Sequence, residues 1–119
     1  LTALEALSAR FPIVALSNGN ADVHRVGIGH FFRAAVNPAI TGFSKPDARI
    51  FAAAAAQAGV SPAHVLHIGD DAQLDGAGAL AAGMQTVWIN RRDERWPAEL
   101  PTAPHAEVAS LTALCALLR

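Results

Sequence analysis

The sequence predicts a doubly wound α/β domain built on a parallel sheet. Two observations carry this expectation. Short apolar runs of strand length, at Ile13-Val14-Ala15-Leu16, Val65-Leu66-His67-Ile68 and Thr86-Val87-Trp88-Ile89, alternate with helical stripes. Strands separated by helices pair in parallel through right-handed crossovers. Polar residues then follow two of the strands directly, at Ser17-Asn18 and Asp70-Asp71, on the edge where such sheets bind ligands.

Each element has a local reason. Thr2-Ala3-Leu4-Glu5 has the form of a capping box, and Leu1, Leu4 and Leu7 make one apolar stripe that Pro12 ends. After the strand at 13–16, Ser17-Asn18-Gly19-Asn20 reads as a tight turn. A short helix from Ala21 to about Val26 is expected before the Gly27-Ile28-Gly29 break, and a short strand at Ala34-Ala35-Val36. Pro46 stands near a helix start. Ile50, Phe51, Ala54 and Ala58 give that helix its buried face, and Gly59 stops it. Ser61-Pro62 turns the chain into the strand at 65–68. A helix from about Gln73 to Ala82, with Gly83 at its C-cap, leads to the strand at 86–89. Residues 90–105 read as a loop rich in Pro and charge. An edge strand at 107–109 and a helix at 111–118, capped by Ser110, close the chain.

Composition narrows the function classes. The 119 residues are 52% hydrophobic with a net charge of −1, which suits one domain with a real core and excludes a disordered tail. No basic stripe is present, so nucleic acid is not expected as a partner. Apolar stretches are broken well before the roughly 18 residues a membrane span needs, and residues 1–10 lack the basic start of a signal peptide. The single cysteine, Cys115, lies in a helical apolar pattern. A buried inert thiol in a reducing, cytoplasmic setting fits it.

The densest chemical signal is Gly69-Asp70-Asp71-Ala72-Gln73-Leu74-Asp75. Three carboxylates crowd into six residues where a strand ends and a helix begins. They repel one another unless something positive lies between them. Mg²⁺ takes carboxylate, water and phosphate oxygens and would do so. The alternative is a solvated acidic helix start, favoured by the helix dipole. Lys45, the only lysine in the chain, sits in Gly42-Phe43-Ser44-Lys45-Pro46-Asp47, a compact point charge where all other basic positions are Arg. Ser17 can donate its hydroxyl to a phosphate oxygen, with the backbone N–H groups of Asn18 and Gly19 aimed the same way. Lys45 can neutralise a transferring phosphoryl group, and Asp70, Asp71 and Asp75 can hold Mg²⁺. This is the equipment of phosphoryl transfer, whose catalysis is mostly positioning and charge neutralisation.

The order of these motifs resembles the haloacid dehalogenase-like (HAD) hydrolase superfamily over nearly the whole chain. Its second motif matches Leu16-Ser17-Asn18-Gly19, its third Ser44-Lys45-Pro46-Asp47, and its fourth Gly69 to Asp75. The small-residue helix after the fourth motif matches Asp75 to Met84. Within the superfamily the chain is most similar to bacterial flavin-pathway phosphatases, which act on a phosphorylated riboflavin precursor or on flavin mononucleotide. Ser17 to Ala21, Gly27 to Phe32 and Gly83 to Asn90 carry that closer similarity. The resemblance implies a Rossmann-like three-layer core and a Mg²⁺-dependent phosphomonoesterase working through an aspartyl-phosphate. The expected substrate is a small phosphorylated metabolite.

One part of the family pattern is missing. Its first motif, an Asp-x-Asp carrying the nucleophile and the general acid–base, does not occur in these residues. The resemblance therefore implies that residues 1–119 are the C-terminal part of a core domain, without a cap. In the family, the strand bearing the first motif lies between those that carry Ser17 and Asp70. Without it two apolar strands would expose unpaired edges mid-sheet. The missing half, in cis or in trans, is the expected partner, and the chain alone is expected to be inactive.

Other residues read as structural. His67 is taken as a packed strand histidine, and His24, His30, His64 and His105 lack zinc-ligand spacing. Asp47 reads as a helix cap, and Trp88 and Trp96 as packing. Asp75 either ligates metal directly or orients a ligand or Lys45. A metal-free haloacid dehalogenase and a noncatalytic half-domain stand as alternatives. A phospho-acceptor receiver domain is excluded, because its acidic pair would come first in the chain.

Overall fold

Among the residues that the computed structural model describes, 2–17, 31–100 and 104–118, strands and helices alternate as expected. Helix α1 (Thr2–Ser8) precedes strands β1 (Val14–Leu16) and β2 (Ala34–Val36). Helices α2 (Pro38–Thr41) and α3 (Ala48–Ala58) lead to strand β3 (Leu66–Gly69). Helix α4 (Gly78–Ala81), strands β4 (Gln85–Ile89) and β5 (Ala106–Val108) and helix α5 (Leu111–Leu117) complete the chain. A 3-10 turn at Pro62–His64 enters β3, and a π-helical turn at Ala72–Ala77 leaves it. The expected helix from Ala21 to about Val26 lies outside the described residues. No described helix is long and apolar enough to cross a membrane.

Among the described residues every strand pairing is parallel. Val14 faces Ala34, Leu66 faces Gln85 and Val87 faces Ala106. Apolar clusters cover both faces. On one, Ile50, Phe51, Ala54 and Ala55 of α3 pack with Val36, Ala79 and Met84. On the other, Leu7 of α1 and Leu114 of α5 pack with Val87, Leu66 and Ile68. Helices on both faces of parallel strands make the three-layer, doubly wound arrangement read from the sequence.

The strands fall into two sheets, β1-β2 and β3-β4-β5. One edge of β1 and one edge of β3 therefore lack a strand partner among the described residues. Both strands line the same mainly apolar cavity of about 790 Å³, from Ile13 to Leu16 on one side and Val65 to Asp70 on the other. That is the interruption expected between the strands leading to Ser17 and Asp70.

Local chemistry explains the boundaries that position the site. Asp47 caps α3 as expected, accepting from the Arg49 N–H at 2.9 Å. Gly59 ends that helix in the left-handed region, φ 77°, its N–H donating to the carbonyls of Ala55 and Ala56. The helix expected from about Gln73 to Ala82 differs. The Asp71 carbonyl accepts from both Asp75 N–H (2.9 Å) and Gly76 N–H (3.1 Å), and the second bond widens the turn. Only Gly78–Ala81 continues as α-helix. Single π turns of this kind recur at functional sites.

Candidate active site

Lys45 reaches the carboxyl end of β3 from the loop before α3. Its Nζ lies 2.6 Å from Asp75 Oδ1, and both side chains are largely buried. The same oxygen stands 3.0 Å from His67 Nε2, and Asp75 Oδ2 accepts from the Asp71 N–H at 3.2 Å. The π turn brings Asp75 back over the end of β3. Gly69 is obligatory beneath it, since a methyl group there would overlap the Asp75 carboxylate. Burial acts to raise the Asp75 pKa, but the hydrogen bonds from His67 and Lys45 outweigh it and hold the group at about 2. Asp75 is thus an anion shared by an ammonium and an imidazole.

The rest of the acidic motif is divided differently. Asp71 Oδ1 accepts from the N–H groups of Gln73 (3.0 Å) and Leu74 (2.8 Å), capping the π turn. Asp70 is exposed, and its carboxylate has no hydrogen-bond partner among the described residues. Its carbonyl accepts from Trp88 Nε1 at 3.0 Å, which ties β4 to the motif. Trp96 packs edge-on against Trp88 and closes over Gly76, where a methyl group would meet the indole. Buried Asn90 holds the intervening loop through Glu94 N–H (3.0 Å), the Glu94 carbonyl (2.6 Å) and Glu107 (3.0 Å).

Of the residues singled out in the sequence, Lys45 and Asp75 meet directly, and Asp70 lines the same cavity as both. Ser17 directly follows β1, its N–H donating to the Val36 carbonyl at 3.1 Å. Asn18 and Gly19 lie outside the described residues. The expected metal set of Asp70, Asp71 and Asp75 is not gathered around one point. Among the described residues no three His, Cys, Asp or Glu side chains form a group able to hold a cation. Asp75 accepts from Lys45 and His67 on Oδ1 and from the Asp71 N–H on Oδ2, so three of its acceptor positions are taken by protein donors. Asp70 and the Oδ2 of Asp71 remain as oxygen donors of the kind Mg²⁺ takes. They amount to part of a coordination sphere. His67 packs against Phe51 as a strand histidine is expected to, and it also contacts Asp75, which the sequence reading did not include. Its only sequence signal is strand alternation, which puts it on the face opposite Leu66 and Ile68.

Parallel strands under helices, with Ser17, Lys45 and an acidic turn at their carboxyl ends, define a doubly wound, Rossmann-like α/β core. Comparison with known proteins makes the assignment specific. Residues 1–83 match the haloacid dehalogenase-like hydrolase family, and the chain belongs to it. It is 34% identical over 119 residues to 5-amino-6-(5-phospho-D-ribitylamino)uracil phosphatase YigB of Escherichia coli strain K12, covering 97% of this chain and 49% of YigB. The crystal structure of a 2-haloacid dehalogenase from Pseudomonas syringae pv. tomato DC3000 superposes with TM-score 0.92 at 36% identity, over 98% of this chain and 50% of that one. The HAD-hydrolase YfnB of Bacillus subtilis, solved bound to magnesium, gives TM-score 0.88 at 26% identity, over 99% and 54% respectively. The chain therefore spans about half the length of the relatives it matches.

Proposed function

We propose that the chain is the C-terminal part of the core of a phosphomonoester hydrolase. It would act on small phosphorylated metabolites through an aspartyl-phosphate, with Mg²⁺ as cofactor. The observation that carries this reading is the meeting of Lys45 with the acidic turn, Nζ 2.6 Å from Asp75 beside an exposed Asp70. Phosphoryl transfer asks the protein chiefly to place the phosphate and neutralise its charge. In this reading Lys45 offsets charge on the phosphoryl group and on the attacking carboxylate. Ser17 donates its hydroxyl to a phosphate oxygen, helped by the N–H groups of Asn18 and Gly19. Asp70 and Asp71 would hold Mg²⁺ with ligands from outside this chain, and the cation when bound adds positive charge beside the phosphate.

The nucleophile would come from the half of the relatives that this chain does not match. The cavity between β1 and β3 supports that arrangement, because a strand entering it in parallel could pair with both edges that lack a strand partner among the described residues. Such a strand is buried on both faces and reads as a continuous Val, Ile and Leu run. The likeness to YigB makes phosphorylated ribitylaminouracil the first substrate to test. The likeness to a 2-haloacid dehalogenase favours a second, metal-free reading, against which the adjacent carboxylates at 70 and 71 weigh.

The test is to express residues 1–119 alone and joined to a first-motif segment of the family, then assay both. The substrates are ribitylaminouracil phosphate, p-nitrophenyl phosphate and a 2-haloacid, each with Mg²⁺ and with EDTA. Phosphate release by the joined protein only, lost in EDTA, is expected. Halide release that survives EDTA would replace this reading with the dehalogenase one. Hydrolysis by residues 1–119 alone would remove the need for an external nucleophile.

A further inference from the structure

Strand alternation gives His67 a place that needs no imidazole. Leu66 and Ile68 turn toward α1 and α5, so His67 faces α3, where the Phe51 ring stands edge-on at 5.1 Å and 88°. An apolar residue would satisfy that packing. Here Nε2 stands 3.0 Å from Asp75 Oδ1, the oxygen that also receives Lys45 Nζ. An ionised carboxylate only accepts hydrogen bonds, so Nε2 carries the proton in this contact whatever the charge of the ring.

The carboxylate is therefore held at three points: by Lys45 and His67 on Oδ1, and by the Asp71 N–H on Oδ2. The terminal torsion of Asp is broad and roughly two-fold. Without the donor from β3, the group can turn and exchange its oxygens, and the flexible lysine stem follows the oxygen it is paired with. Phe51 keeps the imidazole from swinging away, since Phe51 is itself fully buried in the α3 cluster.

We propose that His67 is a positioning residue: by donating from Nε2 to Asp75 it fixes the carboxylate that sets where Lys45 Nζ stands. This rests on the reading of Lys45 as the charge-neutralising cation of phosphoryl transfer. A misplacement of about 1 Å can cost on the order of 100-fold in rate.

The test uses His67→Phe, which keeps a ring against Phe51 and removes the donor, and His67→Gln, whose amide N–H reaches about as far as Nε2. In the joined, active protein, His67→Phe is expected to lower kcat by about 10- to 100-fold with KM within about twofold, and His67→Gln to recover most of the loss. Unchanged kcat in His67→Phe, a parallel rise in KM, or no recovery in His67→Gln would overturn the proposal. His67→Leu makes the same removal if the Phe variant does not fold.

A second readout needs no activity, because the chain contains a single lysine and ¹⁵N-lysine labelling gives one Nζ resonance. A fixed, shielded ammonium keeps an observable N–H signal. That signal is expected in wild type and His67→Gln and lost in His67→Phe, whereas equal signals in all three would overturn the proposal. If the joined wild type hydrolyses no phosphomonoester, the functional reading fails, and the Nζ signal still decides the role of His67.

Discussion

Lys45 Nζ and Asp75 Oδ1 stand 2.6 Å apart across 30 residues of sequence, the loop before α3 bound to the turn after β3. Both side chains are shielded from water. Removing one partner of such a pair strands the other charge, at a cost of roughly 3 kcal/mol or more. Asp75→Ala is expected to lose about that much stability in urea, because it leaves Lys45 and His67 without their shared acceptor. A loss below about 1 kcal/mol would show a pair behaving as an exposed one.

The same carboxylate makes stability depend on acid. Its folded pKa is about 2 against an ordinary 3.8, the lysine and histidine contacts overcoming the effect of burial. A depressed carboxyl pKa contributes stability that is full above the unfolded value and is lost as pH falls through the folded one. The shift corresponds to about 2 kcal/mol. The stability difference between wild type and Asp75→Asn should therefore shrink by about that amount between pH 5 and pH 2. Urea melts of the two proteins across this range check it, and a constant difference would refute it.

Legibility of the fold and of the site had different sources. Strands β1, β3 and β4 were readable because their apolar runs are bounded by Pro, Ser or Gly, and Asp47 and Gly59 are local helix signals. Ser17, Lys45 and the acidic motif were readable because their residue types follow strand ends or precede a helix. The π turn was not readable. It exists because the Asp71 carbonyl takes two N–H groups, and Gly76 lets Trp96, twenty residues on, lie against it. That widened turn decides which acids are left for a cation, so the division among Asp70, Asp71 and Asp75 was hidden with it. His67 was hidden for the same reason: a strand histidine becomes a site residue only when Asp75 folds back over it. The edge strand expected at 107–109 begins at Ala106, where His105 N–H donates to the Thr86 carbonyl and fixes the register with β4.

The free edges of β1 and β3 make a prediction about hydrogen exchange. Backbone groups directed into the cavity between them have no strand partner among the described residues, whereas β3, β4 and β5 bond one another. In residues 1–119 alone, amides of 13–16 and 65–68 that point toward the cavity should exchange fast, and those paired with β2 or β4 slowly. Joining the first-motif segment should slow the fast set in both strands together. Protection of only one edge would mean that the segment docks elsewhere.

Thr86 offers a test of the core that leaves the site intact. It is fully buried in β4, and its Oγ1 has no hydrogen-bond partner among the described residues. Its backbone is satisfied separately, the N–H donating to His105 Nδ1 at 3.1 Å and the carbonyl accepting from His105 N–H at 3.0 Å. Burying a hydroxyl that gains no bond costs roughly 1 to 3 kcal/mol. Valine has the same branched shape and suits a strand buried on both faces. Thr86→Val should raise stability by about 1 kcal/mol and leave the Lys45 Nζ signal unchanged. A loss of stability would show that the hydroxyl has a partner in solution, and the natural candidate is a buried water bridging it to the neighbouring strand.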